Sequence, residues 1–74
     1  MDQQRAIRYL TSHYSRYSQK DIKESLELII DRLIEGGKYD REFLDSIING
    51  LLEDHWPKYK ICAYMDVLDL EDRT

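Results

Sequence analysis

Residues 19–35 read QKDIKESLELIIDRLIE and are followed by the pair Gly36-Gly37, and this stretch decides the fold class. Its apolar residues recur at spacings of three and four and fall on an arc of roughly 140° at 100° per residue. They are Ile22, Leu26, Ile29, Ile30, Leu33 and Ile34. Ser18 is placed to cap the start, and the glycine pair supplies the left-handed residue that ends a helix. The pattern predicts an amphipathic helix whose stripe faces a core.

A second strongly apolar segment follows at about 40–55, with Asp40 as its expected N-cap and Tyr39 placed to staple against Leu44. Its apolar residues occupy roughly half of the helix circumference, more than one neighbouring helix covers. The second neighbour is the last segment, the first helix, or a copy of the same hairpin in another chain. We therefore expect a core or dimer seam formed by Leu44, Ile47, Ile48, Leu51 and Leu52.

The ends of the chain carry weaker signals. A first helix at about 2–17 has a tyrosine-rich apolar face whose last turn is expected to fray. Pro57 ends the preceding helix and fits the first turn of a short helix at about 57–69. Apolar residues also alternate there, so a strand is the rival interpretation. The acidic residues that follow predict a loose tail.

These elements predict one all-α domain over residues 1–74, with three or four helices built on a central antiparallel helix hairpin. A chain this small buries only about 60% of its unfolded surface, so we expect a homodimer that hides further apolar area.

Composition excludes several classes of protein. The net charge is −4, with 42% hydrophobic and 35% charged residues, which argues against both a disordered chain and a membrane protein. Without an apolar spanning segment or an apolar leader, we expect a cytoplasmic protein with no membrane insertion. The single Cys62 forms neither an internal disulfide nor a zinc site.

Catalytic chemistry lacks support in the pattern. Cys62 could pair with His13 or His55, but no motif surrounds either pairing, and a buried thiol is the ordinary explanation. The two histidines lie far apart in the sequence, and the chain has neither an HExxH motif nor a pair of cysteines. The carboxylates fall on helical spacing typical of solvated faces. We predict a protein that is not an enzyme and that uses no metal or cofactor.

Binding functions are better supported. Residues 1–23 hold five basic and two acidic residues, a net of +3, which leaves −7 for residues 24–74. The arginines of helix one can bind phosphates, and its tyrosines can stack on bases or on another protein. The pI of about 5.0, however, opposes general affinity for nucleic acid. The candidate partner surface consists of Arg5, Arg8, Tyr9, Leu28 and Trp56. The alternative is that Tyr9 and Trp56 belong to the core and that Leu28 is a neutral exposed residue.

Three segments carry a family resemblance: AIRYL at 6–10, LELIIDRLIEGG at 26–37 and FLDSIINGLLE at 43–53. In them the chain resembles the YmgB/AriR family, small enterobacterial helical proteins described as biofilm regulators and two-component-system connector proteins. Tyr9 and Leu10 match the family's Tyr-Phe pair, and Gly37 matches the end of its second helix. The pair Trp56-Pro57 departs from the family pattern, so the fourth helix is the part that the resemblance supports least.

The resemblance implies an all-helical homodimer that tunes envelope-stress phosphorelay signalling, biofilm matrix production and acid resistance. The resulting hypothesis is a non-catalytic connector that binds a signalling or regulatory protein. Two alternatives stay open: a DNA-associated transcriptional regulator that uses basic helix one, and a phage- or plasmid-encoded inhibitor of a host enzyme.

Overall fold

The computed structural model describes residues 3–73, with the side chain of residue 73 left aside, and contains four helices in that range. They are α1 (Gln3–Tyr14), α2 (Gln19–Glu35), α3 (Arg41–Glu53) and α4 (Lys58–Arg73). No residue between 3 and 73 belongs to a strand. The prediction of an all-α fold is confirmed, and the predicted start of helix one at Asp2 lies outside the described residues.

The turn between α1 and α2 is set by the cap of α2. Ser18 has extended backbone, with ψ 164°, and its Oγ accepts a hydrogen bond from the backbone N–H of Asp21 at 3.2 Å. The same hydroxyl donates to the Asp21 carboxylate at 2.7 Å. α1 ends at Tyr14 rather than near Tyr17, because the N–H groups of Arg16 and Tyr17 donate to the carbonyl oxygens three residues back, at 3.4 and 3.0 Å, in tighter turns that lead to Ser18.

The connection from α2 to α3 follows the predicted chemistry. Gly37 has φ +79°, the left-handed conformation that ends a helix, and its N–H donates to the Ile34 carbonyl oxygen at 3.0 Å. Asp40 caps α3, since its Oδ1 accepts from the Phe43 N–H at 2.7 Å. The Tyr39 ring stacks on the Phe43 ring, with centroids 5.7 Å apart.

The end of α3 places a histidine in a conformation that glycine usually takes. His55 has φ 64°, and the N–H groups of His55 and Trp56 donate to the carbonyl oxygens of Leu52 and Leu51, each at 3.0 Å. This pair of bonds is a Schellman motif. Pro57 follows, and its carbonyl oxygen accepts the N–H of Ile61, so α4 begins just past the proline.

The centre of the domain is α4, which corrects the expectation of a central α2–α3 hairpin. α1 and α2 each pack mainly against α4, whereas α3 has fewer contacts with α2 and α4. The buried residues of α4 point in most directions around its axis: Ile61, Cys62, Ala63, Met65, Val67 and Asp69. A helix contacted on several sides needs apolar residues all round, which explains why its sequence also alternates like a strand.

The predicted loose acidic tail is wrong within the described residues. α4 continues to Arg73, four residues past the predicted end at 69, and Asp69 is 4% exposed. The reason is electrostatic, because Arg32 of α2 forms ion pairs with Asp66 and Asp69. The paired carboxylates allow this turn of α4 to pack against α2.

Candidate functional site

Cys62 is enclosed in the core rather than presented to solvent. Its side chain is fully buried, beside the Tyr14 hydroxyl. Burial raises the pKa of the Cys62 thiol to about 11, and the charge of Asp66 acts in the same direction, while the hydrogen bond with Tyr14 lowers it. A thiol with this pKa is protonated at neutral pH, so its environment is that of a structural cysteine.

The histidines do not form a catalytic arrangement with Cys62. The His13 ring packs edge-on against the rings of Tyr14 and Tyr17, and its Nε2 shares a hydrogen bond with the Tyr17 hydroxyl at 3.0 Å. His55 lies at the end of α3 in its left-handed conformation. Tyr14 therefore separates His13 from the thiol, and no group of three or more metal-ligating side chains occurs between residues 3 and 72.

A partly buried polar network joins α1 and α2 to α4. The Tyr14 hydroxyl donates to Asp66 Oδ2 at 3.1 Å, and Arg32 Nε donates to Asp69 Oδ2 at 2.9 Å. Arg32 also lies 3.7 Å from Asp66 Oδ1. Burial, followed by the Asp66 charge, raises the pKa of Tyr14 well above its usual range. These groups satisfy one another, which makes the network a structural device that orients α1 and α2 on α4.

The predicted seam on α3 lies mainly against the chain's own core. Leu44 is completely buried, while Ile47, Ile48 and Leu51 are half-buried and pack on the core cluster. Leu52 is 44% exposed at one flank of this apolar side and Phe43 is 51% exposed at the other. Leu44 is therefore a core residue, and only the flanks of the seam are accessible to another molecule.

The candidate partner surface is divided among different elements. Arg5, Arg8 and Tyr9 share the outer face of α1, where Tyr9 is 69% exposed. Tyr9 is thus not a core residue. Leu28 lies on α2 and is 61% exposed, beside Glu24 and Asp31.

Trp56 lies in the connection between α3 and α4 and packs on the core cluster. It meets the Tyr64 ring edge-on at 6.0 Å, and the Lys60 ammonium lies over its indole ring, 4.3 Å from the centroid. Its main contacts are therefore with its own chain, as the core alternative predicted.

The outer face of α1 carries charge of one sign. No Asp or Glu occurs between Gln3 and Lys20, whereas Arg5, Arg8 and Arg16 are exposed along this face. A groove of about 350 Å³ runs between this helix and the start of α4, beside Arg8 and Lys60. Within it, the Thr11 hydroxyl oxygen is buried without a hydrogen-bond partner.

A second charged face, on α3, was missed by the sequence reasoning. A shallow depression of about 740 Å³ follows the side of α3 opposite its apolar side. It is lined by Glu42, Asp45, Ser46, Asn49, Gly50 and Glu53. The signal is present in the sequence as the acidic residues Glu42, Asp45 and Glu53, whose helical spacing places them opposite the apolar arc of α3.

The fold and these surfaces define a small four-helix protein that has charged and apolar outer faces and an enclosed thiol. No family model, curated protein or solved structure matches the chain significantly. Among the described helices, none is both long enough and apolar enough to cross a membrane.

Proposed function

We propose that this chain is a non-catalytic regulatory protein that acts by contact with other proteins and associates as a homodimer through α3. The proposal rests on one observation: the rest of the chain buries the apolar side of α3 only in part. Its apolar side spans half of the helix, yet Leu44 is its only completely buried residue. Phe43 and Leu52 remain about half exposed at the two flanks.

The resemblance to the YmgB/AriR regulators supports the same proposal. Proteins of that kind connect signalling pathways without catalysing a reaction, and the enclosed Cys62 suits a chain that works by contact. Exposed Tyr9 and Leu28 are the residues we expect to meet a signalling or regulatory partner. Large apolar side chains that are exposed on a small domain are common anchors of protein interfaces.

The homodimer is tested by sedimentation equilibrium at micromolar concentration. Leu52→Asp places a charge at an accessible flank of α3 and should dissociate the dimer without unfolding the chain. Gln19→Asp is the matched control, because it adds the same charge at an exposed position of α2. Ile48→Asp is less informative, since the half-buried Ile48 also packs on the core. A wild-type monomer, or equal effects of Leu52→Asp and Gln19→Asp, would contradict the proposal.

The regulatory role is tested by cross-linking in the native host. Wild-type chain should capture a defined signalling protein, and the exposed-residue variants Tyr9→Ala and Leu28→Ala should capture less of it while remaining folded. Capture that is equal for all three chains would exclude Tyr9 and Leu28 from the contact.

A second candidate function is nucleic-acid binding through α1. It is favoured by the outer face of α1, where Arg5, Arg8 and Arg16 accompany the exposed Tyr9 and no carboxylate occurs nearby in sequence. Fluorescence anisotropy with single-stranded and duplex oligonucleotides tests it. Affinity that falls steeply between low and physiological salt would support this function, and the absence of binding at low salt would remove it.

A further inference from the structure

The outer faces of α1 and α3 carry rows of polar residues with the same spacing and opposite charge. Each row has members at positions i, i+3, i+7 and i+11. The basic row is Arg5, Arg8, Ser12 and Arg16. The acidic row is Glu42, Asp45, Asn49 and Glu53. At 100° per residue the acidic row covers an arc of about 80° on α3, and the three members of the basic row that lie within α1 cover about 60°, so each set forms one narrow stripe on its helix.

The two rows also match in length. Eleven residues separate the first and last members of each row. The acidic row lies wholly within α3 and spans about 16 Å along its axis, whereas the last member of the basic row lies two residues past the end of α1. Arg16 lies just past α1, in a turn. Its backbone N–H donates a hydrogen bond to the His13 carbonyl oxygen at 3.4 Å. The basic row therefore continues for two residues, about half a turn, beyond the regular helix.

The register of the rows favours a parallel alignment of the two helices. Aligned in parallel, Arg5 faces Glu42, Arg8 faces Asp45 and Arg16 faces Glu53, while Ser12 faces the Asn49 amide. The antiparallel alignment retains only two opposite-charge pairs. Complementary charge of this kind selects a partner and its register more than it adds raw affinity.

The members of these rows have few partners within their own chain: the Arg41 guanidinium, which pairs with Glu27, also interacts with the charge of Asp45. All of them are exposed, and none forms an ion pair within the described residues. α1 and α3 also make no substantial contact with each other in the monomer. The complementary face available to each row is therefore on another molecule.

The acidic row on α3 lies beside two residues whose side chains are very small or absent. Ser46 and Gly50 are exposed next to it, and a Cβ at Gly50 would meet nothing within 4 Å. Glycine is disfavoured inside a helix, and nothing in the chain's own packing requires it at this position. The absence of a side chain at Gly50 leaves the α3 backbone open to close approach.

We propose that the α1 row of one copy docks on the α3 row of a second copy in parallel register. The contact is head-to-tail, so each docked pair keeps one free α1 row and one free α3 row. Association of this type continues into chains or closes into a ring. It goes beyond the dimer through the apolar flanks of α3 and does not depend on it.

The test is a charge exchange between the two rows. One variant carries Arg8→Glu and Arg16→Glu, and the other carries Asp45→Lys and Glu53→Lys. Each variant alone has two rows of like charge and should associate at least about tenfold more weakly than wild type at low salt. An equimolar mixture restores both complementary contacts and should return association to within about threefold of wild type.

Matched controls separate this contact from the effect of net charge. Lys20→Glu with Lys23→Glu, and Glu24→Lys with Glu35→Lys, make the same charge changes on exposed residues of α2. These controls should change association by less than about threefold. Circular dichroism and urea unfolding verify that each variant is folded.

The readout is the weight-average sedimentation coefficient as a function of protein concentration. At about 20 mM sodium chloride the sedimentation coefficient of the wild-type chain should rise with protein concentration. At about 300 mM it should no longer depend on concentration, because salt screens exposed charges. A dimer through the apolar flanks of α3 would instead persist at the higher salt and respond to Leu52→Asp. The two proposals therefore fail separately.

Three results would overturn the inference. The first is a wild-type chain whose sedimentation coefficient does not rise with concentration at low salt. The second is a mixture of the two variants that associates no better than either alone. The third is equal weakening by the α2 controls. Oligonucleotide binding that Arg8→Glu with Arg16→Glu abolishes, in a chain that does not self-associate, would assign the α1 row to nucleic acid instead.

Discussion

Arg32 Nε lies 2.9 Å from Asp69 Oδ2, and this ion pair fixes the end of α4 against α2. The Asp69 side chain is 5% exposed, whereas that of Arg32 is 42% exposed, so the carboxylate is buried and its partner reaches in from the surface. The carboxylate is part of the packed interior because the guanidinium compensates its charge there.

Asp69→Asn should lower the free energy of unfolding by about 1–3 kcal/mol, since it removes the negative charge that pairs with Arg32 and leaves a weaker amide acceptor of nearly the same volume. Urea unfolding followed by circular dichroism measures the change. The control Glu24→Gln removes a carboxylate from an exposed position of α2 and should change stability by less than about 0.5 kcal/mol. Equal effects of the two substitutions would mean that Asp69 is solvated in solution.

Stability should fall in alkaline solution over the window from about pH 9 to about pH 11. The folded state raises the pKa of the Cys62 thiol from about 9 to about 11, so the unfolded chain releases that proton first. In this window the unfolded chain binds fewer protons than the folded chain. The free energy of unfolding therefore decreases as pH rises, by at most about 2–3 kcal/mol. Tyr14, whose pKa is also raised by burial, extends the loss to higher pH.

The alkaline effect is measured by urea unfolding at several pH values, with Cys62→Ala as the control. In the control, the free energy of unfolding should fall much less steeply with pH between about pH 9 and about pH 11, whatever its value at neutral pH. Wild-type Cys62 should also react slowly with a thiol reagent near neutral pH, in proportion to unfolding. Rapid labelling of the folded chain would show that the thiol is accessible.

Leu44 and Leu52 should respond differently to truncation, although both lie on the apolar side of α3. Leu44→Ala should cost about 2–5 kcal/mol of stability, because Leu44 is completely buried. Leu52→Ala should cost less than about 1 kcal/mol in the monomer, because Leu52 is 44% exposed. Calorimetry at low protein concentration compares them. A large loss for Leu52→Ala that grows with protein concentration would show that another copy covers this residue.

Gly37 and Gly50 should give opposite signs when each is replaced by alanine. Gly37→Ala should destabilise the chain by about 1 kcal/mol, because φ +79° is costly for a residue with a Cβ. Gly50→Ala should stabilise it by up to about 1 kcal/mol, because alanine favours the helix and its Cβ meets open space. Thermal unfolding measures both, and a destabilised Gly50→Ala variant would indicate that the α3 surface is not open as described.

Local chemistry made much of the chain predictable. The caps Ser18 and Asp40 and the terminating Gly37 act through hydrogen bonds to residues three positions away, so α2 was predicted with its observed ends. α4 was harder to predict, because its compensating charge comes from Arg32, which lies more than thirty residues earlier in the sequence. The acidic residues from Asp66 onward therefore indicated a solvated tail.

The candidate surfaces were predicted in part. The basic face of α1 was recognised from Arg5 and Arg8, and their exposure agrees with that prediction. Trp56 was proposed as a contact residue, but Tyr64 and Lys60 of α4 flank it. Those contacts depend on how the α3–α4 connection folds back, which spacing along the chain does not reveal.

The sequence by itself determined that this protein is helical and where α2 begins and ends, because periodicity and capping are local properties of a chain. Only the tertiary structure decided that α4 is the central helix and that Asp69 is buried. It also decided that α1 and α3 present opposite charges on separate outer faces. Burial and charge compensation depend on which distant segments meet, and a linear pattern does not contain that information.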